Sequence, residues 1–226
     1  MKGVTRRGML GGIVTGAASL TILRPGHAAE EATKAGLKQY KNEDFYGADG
    51  KLDVAKAKQA YYELMEYHKF PVFPRLKTDD FWVLDFALGK FTEVGMGGIF
   101  YINDKRDDYL LHDIWLLPGQ MIAEHYHVKT EDAAAKMEAW LVRHGVGYFY
   151  SEGEPTPGVD ERIPPTHKES AKARTEKLVK PGEVVKLEVV EKRHWVKAGP
   201  EGAIITEVAT YHDMGGLRFS HPQIKL

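Results

Sequence analysis

His125 and His127 stand two residues apart in the segment Pro118-Gly119-Gln120-Met121-Ile122-Ala123-Glu124-His125-Tyr126-His127. On a β-strand, side chains at i and i+2 share a face. Both rings can therefore reach one ion at about 2 Å from a ring nitrogen, with Tyr126 turned away. Each of the 10 histidines, taken singly, reads as a solvated or hydrogen-bonded side chain, and it is the pairing that points to a metal. The chain has no cysteine, which excludes thiolate metal sites, disulfides and cysteine nucleophiles, so any metal here is held by nitrogen and oxygen.

With Gly119 the pair gives the spacing Gly-x5-His-x-His, which resembles the first motif of the cupin family. Cupins continue with a glutamate that has a glycine seven residues beyond it, and two glutamates compete for that place. Glu131 lies at the commonest distance but has Glu138 where the glycine belongs. Glu138 is followed at the right interval by Gly145 and opens a strand-like run, so the motif selects Glu138 and leaves Glu131 as a solvated loop residue. The fourth cupin ligand is a late histidine, and His194, between two strand-like runs, is the best placed. Val189 and Glu191 occupy the positions where the second cupin motif usually has proline and glycine. His144 and His167 beside turns, and His212 and His221 in the glycine-containing tail, are the competitors.

The elements that must carry these residues follow from periodicity. Between 52 and 69, Val54, Ala57, Tyr61, Leu64, Met65 and His68 recur at three- and four-residue spacing behind Asp53 as a cap, which predicts one amphipathic helix ended by Pro71 and Pro74. From Phe81 onward, short β-branched and aromatic runs separated by turn residues predict strands over 94–102, 109–117, 121–127, 138–150, 184–189, 195–197 and 203–210. The expected fold is all-β: a cupin-type jelly-roll β-barrel over 81–226, preceded by an N-terminal helical extension over 30–80. Residues 151–180 are polar, with Pro155, Pro157, Pro164 and Pro165, and read as a long excursion. Gly95, Gly97 and Gly98 lie in a strand-like run with no helix start behind them, so a phosphate loop has no support.

Residues 1–29 are a different material. They contain Lys2, Arg6, Arg7 and Arg24, no acidic residue, and an uncharged run from Met9 to Leu23. Thr5-Arg6-Arg7-Gly8-Met9-Leu10 resembles a twin-arginine signal, and small residues at Gly26, Ala28 and Ala29 suit a signal peptidase. The apolar run is shorter than the roughly 20 residues of a spanning helix, which argues against a permanent membrane anchor. The expectation is export by the twin-arginine translocation machinery to the periplasm or beyond. Over all 226 residues, 43% hydrophobic and 28% charged composition fits a folded protein, and 31 basic against 32 acidic residues leave no electrostatic footprint for nucleic acid.

A narrower resemblance covers about residues 80–222. Val83-Leu84-Asp85-Phe86-Ala87-Leu88-Gly89-Lys90, Leu117-Pro118-Gly119-Gln120 leading into Glu124-His125-Tyr126-His127, Lys136-Met137-Glu138, Tyr148-Phe149-Tyr150 with Glu152-Gly153-Glu154, His194-Trp195-Val196-Lys197-Ala198-Gly199 and Ile205-Thr206-Glu207 resemble the D-lyxose isomerases that also act on D-mannose. The resemblance implies a metal-dependent aldose-ketose isomerase that converts a free sugar, D-lyxose to D-xylulose or D-mannose to D-fructose, through an enediol. It implies one divalent ion, Mn(II), held by His125, His127, Glu138 and His194, although the ligand chemistry also suits Fe(II), Co(II) or Zn(II). It implies that Lys136 and Glu207 face the sugar, with Glu207 as carbon base and Lys136 acting at an oxygen. Cupins commonly pair their sheet faces, so a homodimer is expected. Two rivals use the same ligands: a cupin Fe(II) dioxygenase or lyase, and a sugar-binding cupin without turnover. The tail departs from the family near Leu217, where an acidic residue is expected shortly before Phe219, and Asp213 would replace it only on a re-routed loop.

Overall fold

The computed structural model describes residues 36–226, of which Leu37–Leu226 form one unit. The segment 1–29, read above as an export signal, lies outside the described residues. Helix α1 (Val54–Tyr67) starts where Asp53 accepts a hydrogen bond from the Lys56 amide at 3.1 Å. It buries Ala57, Ala60, Tyr61, Leu64 and Met65 on one face, against Phe81, Trp115 and Ile204. The helix is shorter than the sequence suggests, because His68 already leaves helical geometry and Lys69 takes a positive φ of 55° ahead of Pro71.

Nine strands follow among the described residues: β1 (Trp82–Leu84), β2 (Met96–Asp104), β3 (Tyr109–Leu116), β4 (Met121–His127), β5 (Glu138–Ser151), β6 (Thr175–Val179), β7 (Val184–Lys186), β8 (His194–Ala209) and β9 (Leu217–Phe219). All pairings among them are antiparallel, in the order β1-β2-β3-β8-β4-β9, with β5 joining β6, β7 and β8. The 16-residue β8 pairs with β3 along its second half, with β4 along its first, and with β5 along both. That arrangement curls the sheet into an all-β jelly-roll barrel, with Ile114, Met121, Val142, Val196 and Ile205 among its buried core.

Sequence patterning splits β8 in two, because Gly199-Pro200-Glu201-Gly202 looks like a turn. The chain stays paired because β5 bends at the same level: Gly145 and Gly202 both have positive φ, and a Cβ on Gly145 would run into the carbonyl oxygen of Gly202. The glycine seven residues after Glu138 is thus a point of backbone contact between β5 and β8.

Residues 151–180 also differ from the simple polar excursion expected. They hold a short helix, α2 (Val159–Arg162), and β6, and they bury Val159, Ile163, His167, Ala171, Ala173 and Val179. Strands β1, β6 and β9 escape sequence patterning for physical reasons. β1 and β9 have three residues each, and β6 presents Glu176 and Lys177 on an edge.

Candidate active site

Position begins with the turn before β4. Gly119 adopts φ 71°, and the fully buried Gln120 side chain accepts from Tyr61 Oη at 2.7 Å and the Leu117 amide at 2.9 Å while donating to the Phe91 carbonyl at 2.5 Å. Helix α1 therefore anchors the start of the strand that carries His125 and His127. Across the ladder His125 pairs with His194, the first residue of β8. Glu138 opens β5, with Lys136 two residues earlier, while Glu207 on β8 is flanked by Trp140 on β5 and His112 on β3.

His125, His127, Glu138 and His194 each offer one ligand atom, and these atoms lie within 4.8 Å of one another. Nδ1 of His125 lies 2.9 Å from the Ala123 carbonyl, and Nδ1 of His194 lies 2.9 Å from the Lys192 carbonyl. Each carbonyl accepts a hydrogen bond from Nδ1–H, which leaves the Nε2 lone pair of that tautomer free as a ligand. Nε2 of His194 stands 3.1 Å from Oε2 of Glu138, and Nε2 of His127 stands 3.5 Å from its Oε1. His127 Nε2, His194 Nε2 and Glu138 Oε2 are nevertheless buried without a hydrogen-bond partner. Buried nitrogen and oxygen donors that converge without bonding one another fit a divalent ion.

Electrostatics sets the ligands apart: burial alone would lower His194, yet the Glu138 carboxylate raises it, a charge that a divalent ion would displace. Burial, reinforced by His194 and His127, holds His125 well below the usual histidine range, so it stays neutral as a ligand must. Burial works to raise Glu138, but Lys136 outweighs it and keeps the carboxylate ionised. Lys136 is itself only 4% exposed. Its Nζ donates to Glu138 Oε1 at 2.8 Å and also contacts Glu207 Oε1. Burial alone would lower this lysine, yet the two carboxylates hold it above its ordinary range, and Lys136 in turn pulls Glu207 below the carboxylate range.

All six residues line one cavity of about 690 Å³. Glu131, the rival carboxylate, is exposed. The rival histidines lie elsewhere or play another part: His144 packs on His68 with ring centroids 5.4 Å apart, and His167 on His221 at 5.1 Å. His212 does line the cavity, 5.2 Å from the His127 ring, but it stands outside the four-ligand group, and burial, then Lys136, lowers it to about 3.

One polar residue of the site escapes sequence reasoning. His112 is buried in β3, packs at a tilt against both Phe100 and Trp82, and brings Nδ1 within 3.4 Å of Glu207 Oε2. The available signal is a buried histidine in strand β3, and Gly98 nearby, where a Cβ would strike the rings of Trp82 and His112. Leu217 pairs with His127 and lines the cavity. Asp213 does not take its place, because its carboxylate is engaged by Thr130 Oγ1 at 2.7 Å and by the Gly215 amide at 2.9 Å.

No protein-family model matches the chain. It is 31% identical over 175 residues to a D-lyxose/D-mannose isomerase of Thermosediminibacter oceani, covering 77% of this chain and 94% of the relative. It is 34% identical over 128 residues to a D-lyxose ketol-isomerase of Cohnella laeviribosi, covering 57% and 69%. Among solved structures, L-ribose isomerase of Cellulomonas parahominis shares the fold at TM-score 0.61 and 12% identity, over 80% of this chain and 95% of that one. A barrel with this cavity and these relatives is an aldose-ketose isomerase. The chain belongs to the D-lyxose ketol-isomerase family.

Proposed function

We propose that the protein isomerises a free aldose, D-lyxose to D-xylulose or D-mannose to D-fructose, through an enediol, with one divalent ion held by His125, His127, Glu138 and His194. Mn(II) is the ion we favour. When bound there, a divalent ion supplies Lewis-acid polarisation of the sugar oxygens and spreads the charge that develops as C–H is broken.

The remaining chemistry falls to the chain. The ionised Glu207 takes the proton from C2 of the open-chain aldose and returns it to C1. Lys136 donates a hydrogen bond to the oxygen that becomes negative and carries the second proton from O2 to O1, so the enediol collapses to the ketose with no net gain or loss of protons. His112 holds the second oxygen of Glu207 and thereby aims the first. Trp82, Phe100, Trp140, Phe149 and Phe219 wall the cavity and exclude water from the reacting carbons.

The observation that carries this reading is one buried lysine that touches both the ligand carboxylate Glu138 and the base Glu207 inside a cavity with ample room for a sugar. The matching pattern over residues 1–29 supports export by the twin-arginine route to the periplasm or beyond. Exposed Met137 and Val208, beside one shallow groove on the outer sheet, support a homodimer. The test is metal-stripped protein resupplied with Mn(II) and offered a panel of aldoses. Ketose from D-lyxose or D-mannose that disappears without metal supports the proposal. No ketose from any aldose with Mn(II), Co(II) or Fe(II) overturns it.

A further inference from the structure

Glu124 is fully buried, and the proposed reaction gives it no part. Its Oε1 accepts from the Lys172 amide at 2.9 Å and from Ser220 Oγ at 2.5 Å. Its Oε2 accepts from the Lys172 amide at 2.8 Å and the Ala173 amide at 2.7 Å, and its own carbonyl accepts from the Ser220 amide at 3.2 Å. Among the described residues all its hydrogen-bond donors are neutral. A carboxylate is acceptor-only and can satisfy this many donors, whereas a carboxamide would set N–H against N–H. Burying that charge is costly, so the two segments it gathers have to be held at this place.

What they hold is visible in the ladder. Strand β4 pairs with β8 at Met121 and Ile122 and then only at His125, with a register shift between. The seam is therefore weakest immediately beside the ligand pair His125 and His194, whose ring centroids lie 4.4 Å apart. Ala173 splints that gap. Its N–H goes to Glu124, the residue before His125, and its carbonyl accepts from Trp195 Nε1 at 2.9 Å, the residue after His194. On the other edge, Ser220 follows Phe219, the register partner of His125.

We infer that Glu124 is a positioning residue for the metal: its carboxylate fastens the 172–173 segment and the C-terminal strand to β4, and through Ala173 and Trp195 sets the spacing of His125 and His194. The inference rests on the metal site proposed above. Residues 151–180 are then part of the metal centre's frame, which no local pattern in their composition suggests.

The experiment titrates the metal-stripped full chain with Mn(II) alone and measures affinity for wild type, Glu124→Gln and Trp195→Phe. Glu124→Gln is expected to bind Mn(II) about 10- to 100-fold more weakly, with kcat recovered at saturating Mn(II). Trp195→Phe, which removes one N–H and keeps an aromatic ring, is expected to bind several-fold more weakly and decides the matter if Glu124→Gln does not fold. Wild-type affinity in the folded variants overturns the inference and leaves the metal site standing. A wild-type chain that takes up no Mn(II), Co(II) or Fe(II) overturns the site itself.

Discussion

Lys136 donates a 2.8 Å hydrogen bond to Oε1 of Glu138, and through the same nitrogen it contacts Glu207. A single buried cation thus couples the residue that would hold the ion to the residue that would move the proton. The arrangement keeps both carboxylates ionised without bulk water, because each lowers its own desolvation cost by facing the ammonium.

Replacing Lys136 by methionine keeps the length of the side chain and removes the charge. Turnover is expected to fall at least 100-fold. Loss of the ammonium lets burial raise Glu207, so the acid limb of any residual pH–rate profile moves to higher pH. A profile whose acid limb stays in place would separate Lys136 from Glu207.

His112→Phe keeps an aromatic ring against Phe100 and Trp82 and removes the contact to Glu207. The expected result is a 10- to 100-fold loss in kcat, the range for a hydrogen bond to a charged group, with KM within about threefold of wild type. An unchanged kcat would mean that Glu207 is aimed by the sheet alone.

Much of this site is legible in the sequence because its signals are local. His125 and His127 share a strand, Glu138 is tied to Gly145 by a fixed interval, and His194 heads a clear apolar run. His112 is not legible in that way, since its meaning depends on Glu207, which lies 95 residues away and becomes its neighbour only when β3 pairs with β8. The same holds for residues 151–180. Their polar composition is real, but Ala171, Ala173 and His167 are buried, and Ala173 bonds Glu124 and Trp195, both distant in sequence. The long β8 was hidden by its glycines, which read as a turn until Gly145 is set opposite them.

The choice between Glu138 and Glu131 has a direct consequence. Glu138→Gln is expected to lose metal and activity together, whereas Glu131→Gln, at an exposed position, keeps both. Metal analysis of the two purified variants checks this, and full occupancy in Glu138→Gln would contradict it.

Acid stability offers an independent handle on the 151–180 segment. Burial, with His221 adding to it, lowers His167 from 6.5 to about 4. The unfolded chain therefore binds a proton that the folded chain refuses between those values. The stability this residue contributes is complete above pH 6.5, declines as pH falls through the window, and is gone below about pH 4. Between pH 7 and pH 5 the loss is about 2 kcal/mol. Urea unfolding at the two pH values should show it, and His167→Phe should reduce the pH dependence by that amount whatever its effect at pH 7.

If Glu207 moves the proton while other residues hold the ion, Glu207→Gln separates the two roles. Metal content and ketose formation from D-lyxose and D-mannose would be measured on one Mn(II)-loaded preparation. Metal content equal to wild type and turnover reduced by at least 100-fold are expected. Turnover within a few-fold of wild type, with metal in place, would contradict that division of roles.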